Sequence, residues 1–177
     1  IYAPEAPYDD LELCNVFEVI ISQLRGLTTH SMDSFHGQKI YYVLSSLSVV
    51  KSCVVLVCLM QQGVGNSKEL LVSLFDTLVS SIRSEQSDDI SGHIGSILQA
   101  CIEEAEYLDQ EFLDIILQPL LPSSKSENPA AYKICQTVLR RTAMCIQNST
   151  SAFINRVLVG TLSTDDSLSE LSDQVYP

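Results

Sequence analysis

The chain has 177 residues with a hydrophobic fraction of 46% and a mean hydropathy of +0.18, which is enough apolar material for a folded core and excludes disorder throughout. Its net charge of −12 and pI of about 4.4 argue against direct binding of this stretch to nucleic acid. The longest apolar run, residues 53–60, is far shorter than the ~20 residues of a membrane-spanning helix, so no membrane association is expected.

Apolar residues recur with helical spacing along nearly the whole chain, and strand-like alternation is not sustained anywhere. The apolar run at residues 53–60 continues a periodic stretch that begins near residue 40, which favours one long helix over a buried strand. The pattern predicts eight helices, at residues 9–26, 37–61, 67–84, 88–106, 109–121, 129–147, 150–162 and 167–175.

Signals for helix starts and stops support these elements. Asn66 with Glu69, and Ser167 with Glu170, have the three-residue spacing of a capping box. Asn128 is followed by proline, a combination typical of a cap and a first helical residue. Gly26, the glycines at 63–65 and Pro122 are expected to end helices.

The predicted helices recur with a constant period. Starts near residues 67, 109 and 150 are 42 and 41 residues apart, and starts near 88 and 129 are 41 apart. This interval matches the ~40–47 residues of HEAT and armadillo repeats, and a plain helical bundle is the weaker alternative. We therefore expect an all-α, HEAT/armadillo-type α-solenoid of about eight antiparallel helices. Residues 1–177 are expected to form one segment of it, as a fragment of a longer chain.

Catalysis finds little support in the sequence, and no cofactor or metal is expected. The histidines His30, His36 and His93 show no metal-ligand or base spacing, and the acidic stretch at 103–111 is typical of a solvated helix end. All six cysteines lie in apolar helical segments without zinc-like spacing. They are expected to be free, buried and slow to react, in a reducing compartment. These are Cys14, Cys53, Cys58, Cys101, Cys135 and Cys145.

Three basic residues lie on one predicted helix. Lys133 and Arg140 are seven positions apart and therefore share a face, and Arg141 adjoins them. Because the chain has only ten lysines and arginines against 22 acidic residues, the group is a candidate patch for an acidic partner. A solvated ridge is the competing interpretation.

The first eight residues, Ile-Tyr-Ala-Pro-Glu-Ala-Pro-Tyr, are unusually stiff. Pro4 and Pro7 fix their own φ angles and hold the residues before them extended. A rigid segment loses little conformational entropy on binding, and Glu5 could pair with a basic side chain. The segment is a candidate docking site for a short peptide motif, formed by Tyr2, Ala3, Pro4, Glu5, Ala6 and Pro7. Packing on the helix at 9–26 is the alternative.

This opening octapeptide closely resembles the signature of the precocious-dissociation-of-sisters family, large HEAT-repeat regulators of cohesin. Weaker similarity continues through residues 50–55 (Val-Lys-Ser-Cys-Val-Val), 71–83, 111–114 (Glu-Phe-Leu-Asp) and 140–143 (Arg-Arg-Thr-Ala). The resemblance covers most of residues 1–162. The glycine-containing insert at 61–67 and the tail at 163–177 depart from it.

The resemblance implies a nuclear, chromatin-associated scaffold without catalysis. Members of the family bind the kleisin subunit of cohesin and the wings-apart-like release factor, and they maintain and release sister-chromatid cohesion. The segment that matches residues 2–7 is associated there with short motifs of release and protection factors. A HEAT adaptor of nuclear transport, or of a phosphatase or kinase, is the alternative, and an enzyme ranks third.

Overall fold

The structure, a computed structural model, describes residues 8–31 and 33–146, and every regular element in these ranges is helical. The all-α fold predicted from the sequence is confirmed. Eight α-helices lie wholly within the described ranges: α1 (Asp10–Leu24), α2 (Phe35–Val50), α3 (Cys53–Gln61), α4 (Ser67–Ser81), α5 (Asp88–Glu104), α6 (Gln110–Leu117), α7 (Pro122–Glu127) and α8 (Pro129–Arg141). Residues 143–146 are also helical, so the helix predicted at 129–147 is interrupted at Thr142. Short 3₁₀ turns follow α1 and α6.

Helix α1 begins at a capping box. The Asp9 carboxylate accepts a hydrogen bond from the Glu12 backbone N–H at 2.8 Å, and the Glu12 carboxylate accepts one from the Asp9 N–H at 3.0 Å. Two of the N–H groups left without partners at a helix start are thereby satisfied. The predicted box at Asn66 is wrong, because the Asn66 side chain makes no capping hydrogen bond to α4.

The single long helix predicted at 37–61 is two helices, α2 and α3, bent by 64°. Lys51 ends α2 in the left-handed conformation, with φ 57° and ψ 31°. The buried residues of α2, such as Ile40 and Leu44, lie on one face. Those of α3, such as Leu56 and Val57, would lie on the opposite side of a straight continuation. Only a break in the helix places both faces in one core.

A second difference follows α6. Pro122 was expected to end a helix, but it is the first residue of α7, where its fixed φ suits the helix and its missing N–H costs nothing. The predicted helix at 109–121 therefore ends at Leu117 and passes through a 3₁₀ turn into α7.

The helices stack in two layers, as in a HEAT-type solenoid. In the first layer α1 packs on α4 and α4 on α6, and in the second layer α2 and α3 pack on α5 and α5 on α8. Helices α4 and α6 begin 43 residues apart, and α5 and α8 begin 41 apart, which agrees with the predicted period. Helices α1, α4 and α5 therefore contact their counterparts one repeat away more extensively than their α-helical neighbours in the same repeat, as α4 does with α6 rather than α5. Helix α3 is different, because it packs on its sequence neighbour α4 as well as on α5.

The core is one continuous apolar cluster between the layers. Phe75 of α4 and Phe112 of α6 are fully buried and meet edge to face, with ring centroids 5.4 Å apart. The layers are tied further at Asn128. Its side chain accepts a hydrogen bond from the Ala131 N–H at 3.1 Å and donates one to the Ile82 carbonyl at 2.9 Å.

Several sequence predictions fall outside the described residues. These are the docking segment at residues 2–7, the helices at 150–162 and 167–175, and the capping box of Ser167 with Glu170.

Candidate functional site

A groove of about 250 Å³ lies in the second layer, between α5 and α8. Its floor on α5 is made mostly of small residues, and Gln99 and Glu103 are the larger side chains there. From α8 come one isoleucine, one threonine and one valine. The lining residues without charge are Ser91, Gly92, Gly95, Ser96, Gln99, Ala100, Ile134, Thr137 and Val138.

Two glycines of α5 line the groove. A Cβ added at Gly92 would meet nothing within 4 Å, so this position faces free space. A Cβ added at Gly95 would lie 3.7 Å from the Ile134 side chain and 3.8 Å from that of Val138, which is ordinary van der Waals contact. The backbone of α5 therefore lies close to α8 at Gly95 and has open space beside it at Gly92.

Three cations border this groove, namely Lys51, Lys133 and Arg141. The break between α2 and α3 places Lys51 there, while Lys133 and Arg141 stand two turns apart on α8. Among the described residues, none of the three forms a salt bridge with a carboxylate; the ion pairs in those ranges join Lys68 to Asp109 and Glu111.

One side of the groove is held by a short chain of hydrogen bonds. Arg141 donates to the Gln99 side-chain oxygen at 3.3 Å, and the Gln99 amide donates to the Glu103 carboxylate at 2.7 Å. Glu103 is the one carboxylate among the described residues lining the groove. The Arg141 guanidinium keeps further donors for a ligand, since it carries five N–H groups.

The predicted basic patch is only partly brought together. Lys133 and Arg141 line the groove, but Arg140 does not. At about 100° per residue the lining positions of α8 are centred near Arg141, with Lys133 at one edge of the lining face and Arg140 just beyond that edge. Sequence reasoning missed Lys51, Gly92 and Gly95 as groove residues. One signal was available for Lys51, which is the only charged residue between Lys39 and Lys68.

A second cavity, of about 560 Å³, lies among α4, α6, α7 and α8 and has the opposite charge. The carboxylates of Asp76, Asp114 and Glu127 line it, together with Asn128. The described surface thus presents a basic groove and an acidic cavity at separate places.

Helix α2 also carries an exposed apolar stripe, formed by Phe35, Tyr42 and Val49 at seven-residue spacing. Their exposed fractions are 68%, 72% and 76%. The Lys39 ammonium lies over the Phe35 ring, 4.3 Å from its centroid.

The cysteines follow the predictions only in part. All six are free, but the expected burial is wrong for Cys145, which is exposed, and only partly met at Cys58, which is half-buried. Burial raises the pKa of Cys135 to about 12. A hydrogen bond between Cys53 and Cys101 lowers the pKa of Cys53 and raises that of Cys101. The positive charge of Lys51 adds to the lowering of the pKa of Cys53.

The described residues were compared with the features of metal sites and of membrane-spanning helices. No group of three or more metal-ligating side chains occurs in residues 8–31 and 33–146. In the same ranges no single helix is long and apolar enough to cross a membrane. Helices α2 and α3 taken together have the length and apolar composition of a membrane-spanning helix, but they are bent by 64°.

Two stacked helical layers with grooves between neighbouring helices define a helical-repeat scaffold of the HEAT type. The family model of the sister chromatid cohesion protein PDS5 matches residues 1–176. The chain belongs to this family, a family of cohesin regulatory scaffolds.

Curated relatives match the chain over nearly its whole length. The PDS5 homolog A of Danio rerio is 34% identical over 177 residues, which are 99% of this chain and 13% of that protein. The PDS5 homolog B proteins of Gallus gallus and Homo sapiens are each 32% identical, over 99% of this chain and 12% of theirs. The chain thus spans about an eighth of the relatives that it matches.

Among solved structures, a chain from the structure of the Pds5–Scc1 complex is similar, with a TM-score of 0.61 and 26% sequence identity. The match covers 78% of this chain and 20% of that one. These comparisons give no support to a HEAT adaptor of nuclear transport or of a phosphatase or kinase.

Proposed function

We propose that this chain is a segment of a non-catalytic scaffold that associates with cohesin and regulates sister-chromatid cohesion. The observation that carries the proposal is the family match, which extends over residues 1–176. The stacked layers support it physically, because stacked repeats offer long surfaces and grooves for partner segments.

The first partner that we assign is the kleisin subunit of cohesin. The support is the similarity to a chain of the Pds5–Scc1 complex, at a TM-score of 0.61. We further assign the wings-apart-like release factor and other short-motif regulators as partners, with action in the nucleus and with chromatin association through these partners. This part rests on the family resemblance.

Affinity capture from nuclear extract tests the proposal. The tagged full chain is expected to enrich the kleisin and the other cohesin subunits, measured by quantitative mass spectrometry. A Leu44→Asp variant is the control, because a charge at this fully buried position disrupts the fold. Enrichment of transport factors or phosphatase subunits without cohesin would overturn the assignment.

We also propose that residues 2–7 form a docking segment for a short motif that contains an arginine and an aromatic residue. Support comes from the two prolines, which stiffen the segment, and from Glu5 between them. A Glu5→Lys variant of the full chain is expected to keep its helicity and melting temperature and to lose binding of a peptide from the release factor.

A Glu5→Gln variant separates charge from shape, since it keeps the size of the side chain and removes its charge. Intermediate binding is expected for this variant. Binding that survives Glu5→Lys, or a fold that collapses with it, would make the segment structural.

A further inference from the structure

We infer that the groove between α5 and α8 is a docking site for an acidic, extended segment of a partner protein. The inference deepens the proposed scaffold function by assigning one binding surface and the chemistry of its ligand. It rests on charge, on spacing and on the shape of the groove floor.

The charge of the groove is opposite to that of the molecule. Three of the ten basic residues border one cavity in a chain of net charge −12. Lys51 and Lys133 form no salt bridge among the described residues, and Arg141 is hydrogen-bonded only to a neutral amide there. An incoming carboxylate therefore has cations to pair with and has few carboxylates to displace.

The second cavity has the wrong charge for an acidic ligand. Asp76, Asp114 and Glu127 would repel carboxylates from the cavity among α4, α6, α7 and α8. In the groove, Glu103 is the one carboxylate among the described lining residues, and the Gln99 amide already binds it at 2.7 Å. The two surfaces therefore differ in sign, and of the two the groove suits an acidic segment.

The spacing of the cations sets the spacing of the ligand's acidic residues. Lys133 and Arg141 are eight positions apart on α8, so their Cα atoms are separated by about 12 Å. An extended peptide covers this distance in about four residues, and its side chains alternate between two faces. Two carboxylates four positions apart would therefore point to the same side and reach both cations.

The floor of the groove determines which type of ligand residue fits between the two carboxylates. Gly92 offers free space, and Ile134 and Val138 supply an apolar wall. The residue midway between the carboxylates faces the same side as they do. The ligand pattern is thus an acidic residue, any residue, an apolar residue, any residue and a second acidic residue.

Fluorescence anisotropy with a labelled probe peptide, Ser-Glu-Ser-Leu-Ser-Glu-Ser, tests the inference on the full chain. The double variant Lys133→Glu/Arg141→Glu is expected to weaken binding by about tenfold or more. Gly92→Leu is also expected to weaken binding of the probe, because the leucine side chain fills the floor of the groove. Circular dichroism is expected to show that this variant keeps its fold. Arg140→Glu is the matched control, with a charge reversal on the same helix beside the groove, and is expected to change affinity by less than about threefold.

Two control peptides test the pattern. One carries glutamine in place of both glutamates, and the other moves the leucine by one position so that it faces away. Both are expected to bind about tenfold more weakly. Equal binding of the shifted peptide, or equal losses in Arg140→Glu and the double variant, would reduce the site to general charge attraction and overturn the inference.

The outcome is separable from that of the proposed function. Cohesin capture by a chain whose groove does not bind the probe would remove this inference alone. Probe binding without cohesin capture would remove the assigned biological role and leave the groove as a docking site.

Discussion

At the scale of single residues, Gly95 shows how an unfavourable residue type is retained where two helices approach. Glycine in a helix interior costs about 1 kcal/mol relative to alanine. A Cβ at this position would lie 3.7 Å from Ile134, at ordinary contact distance, so the position is not closed to alanine.

Gly95→Ala is therefore expected to stabilise the fold by about 1 kcal/mol in urea denaturation. Gly63→Ala is the contrasting variant, because Gly63 has φ +69° with nothing near its missing Cβ. It is expected to lose about 1 kcal/mol through backbone strain alone. Destabilisation by Gly95→Ala would show that α5 and α8 pack more closely than in this structure.

Cys135 links residue chemistry to the pH dependence of folding. Burial raises the pKa of this thiol from the ordinary value of 9.0 to about 12. Above pH ~9 the thiol of the unfolded chain loses its proton while the buried thiol keeps it, so stability falls as the pH rises.

The expected loss from Cys135 between pH ~9 and ~10 is about 1 kcal/mol, and Cys135→Ala should remove it from the pH profile. Urea denaturation across this range measures how the free energy of unfolding changes with pH. The cavity left by Cys135→Ala lowers this free energy by a constant amount and does not affect the slope.

At the scale of elements, the ends of the helices determine how the layers connect. Asn128 caps α8 and also binds the Ile82 carbonyl just after α4, with both hydrogen bonds near 3 Å. One side chain therefore fixes a helix start and joins it to the chain that leaves the preceding repeat.

Asn128→Ala is expected to cost about 1–2 kcal/mol, since it removes a cap and leaves a carbonyl without its partner. Asn66→Ala makes a matched comparison, because Asn66 precedes α4 without a capping hydrogen bond. Its expected cost is within about 0.5 kcal/mol. Equal melting temperatures of the two variants would show that the Asn128 bonds contribute little.

The break at Lys51 has two consequences for its element. It turns the chain so that the apolar faces of α2 and α3, which would lie on opposite sides of one straight helix, are buried in the same core. It also places the Lys51 cation at the border of the groove. A straight helix would have kept Lys51 on the same face as Ile40 and Leu44, which is buried.

At the scale of the whole molecule, the exposed stripe on α2 predicts association. Phe35, Tyr42 and Val49 are each more than two-thirds exposed on one helix, where such a surface favours contact with other molecules. The triple change to glutamine is expected to reduce self-association in sedimentation velocity and to leave the melting temperature unchanged.

Val19→Gln provides the comparison for the stripe. Val19 is 62% exposed on α1, outside the stripe, and single exposed apolar residues are common on protein surfaces. Its replacement is expected to leave the sedimentation profile as it is. If Val19→Gln reduced self-association as much as the triple change does, the association would come from exposed apolar residues in general and not from the stripe on α2.

The sequence alone determined the helical class, the repeat period near 41 residues, the Asn128 cap and the family resemblance. The first three depend on local spacing and local hydrogen bonds, and the resemblance depends on residue identity, all of which a sequence records directly. The tertiary structure decided the break at Lys51 and the groove between α5 and α8. Periodicity shows which side of a helix is apolar but not which helix covers it. Lys51, Gly92 and Arg141 therefore become neighbours only when the second layer stacks.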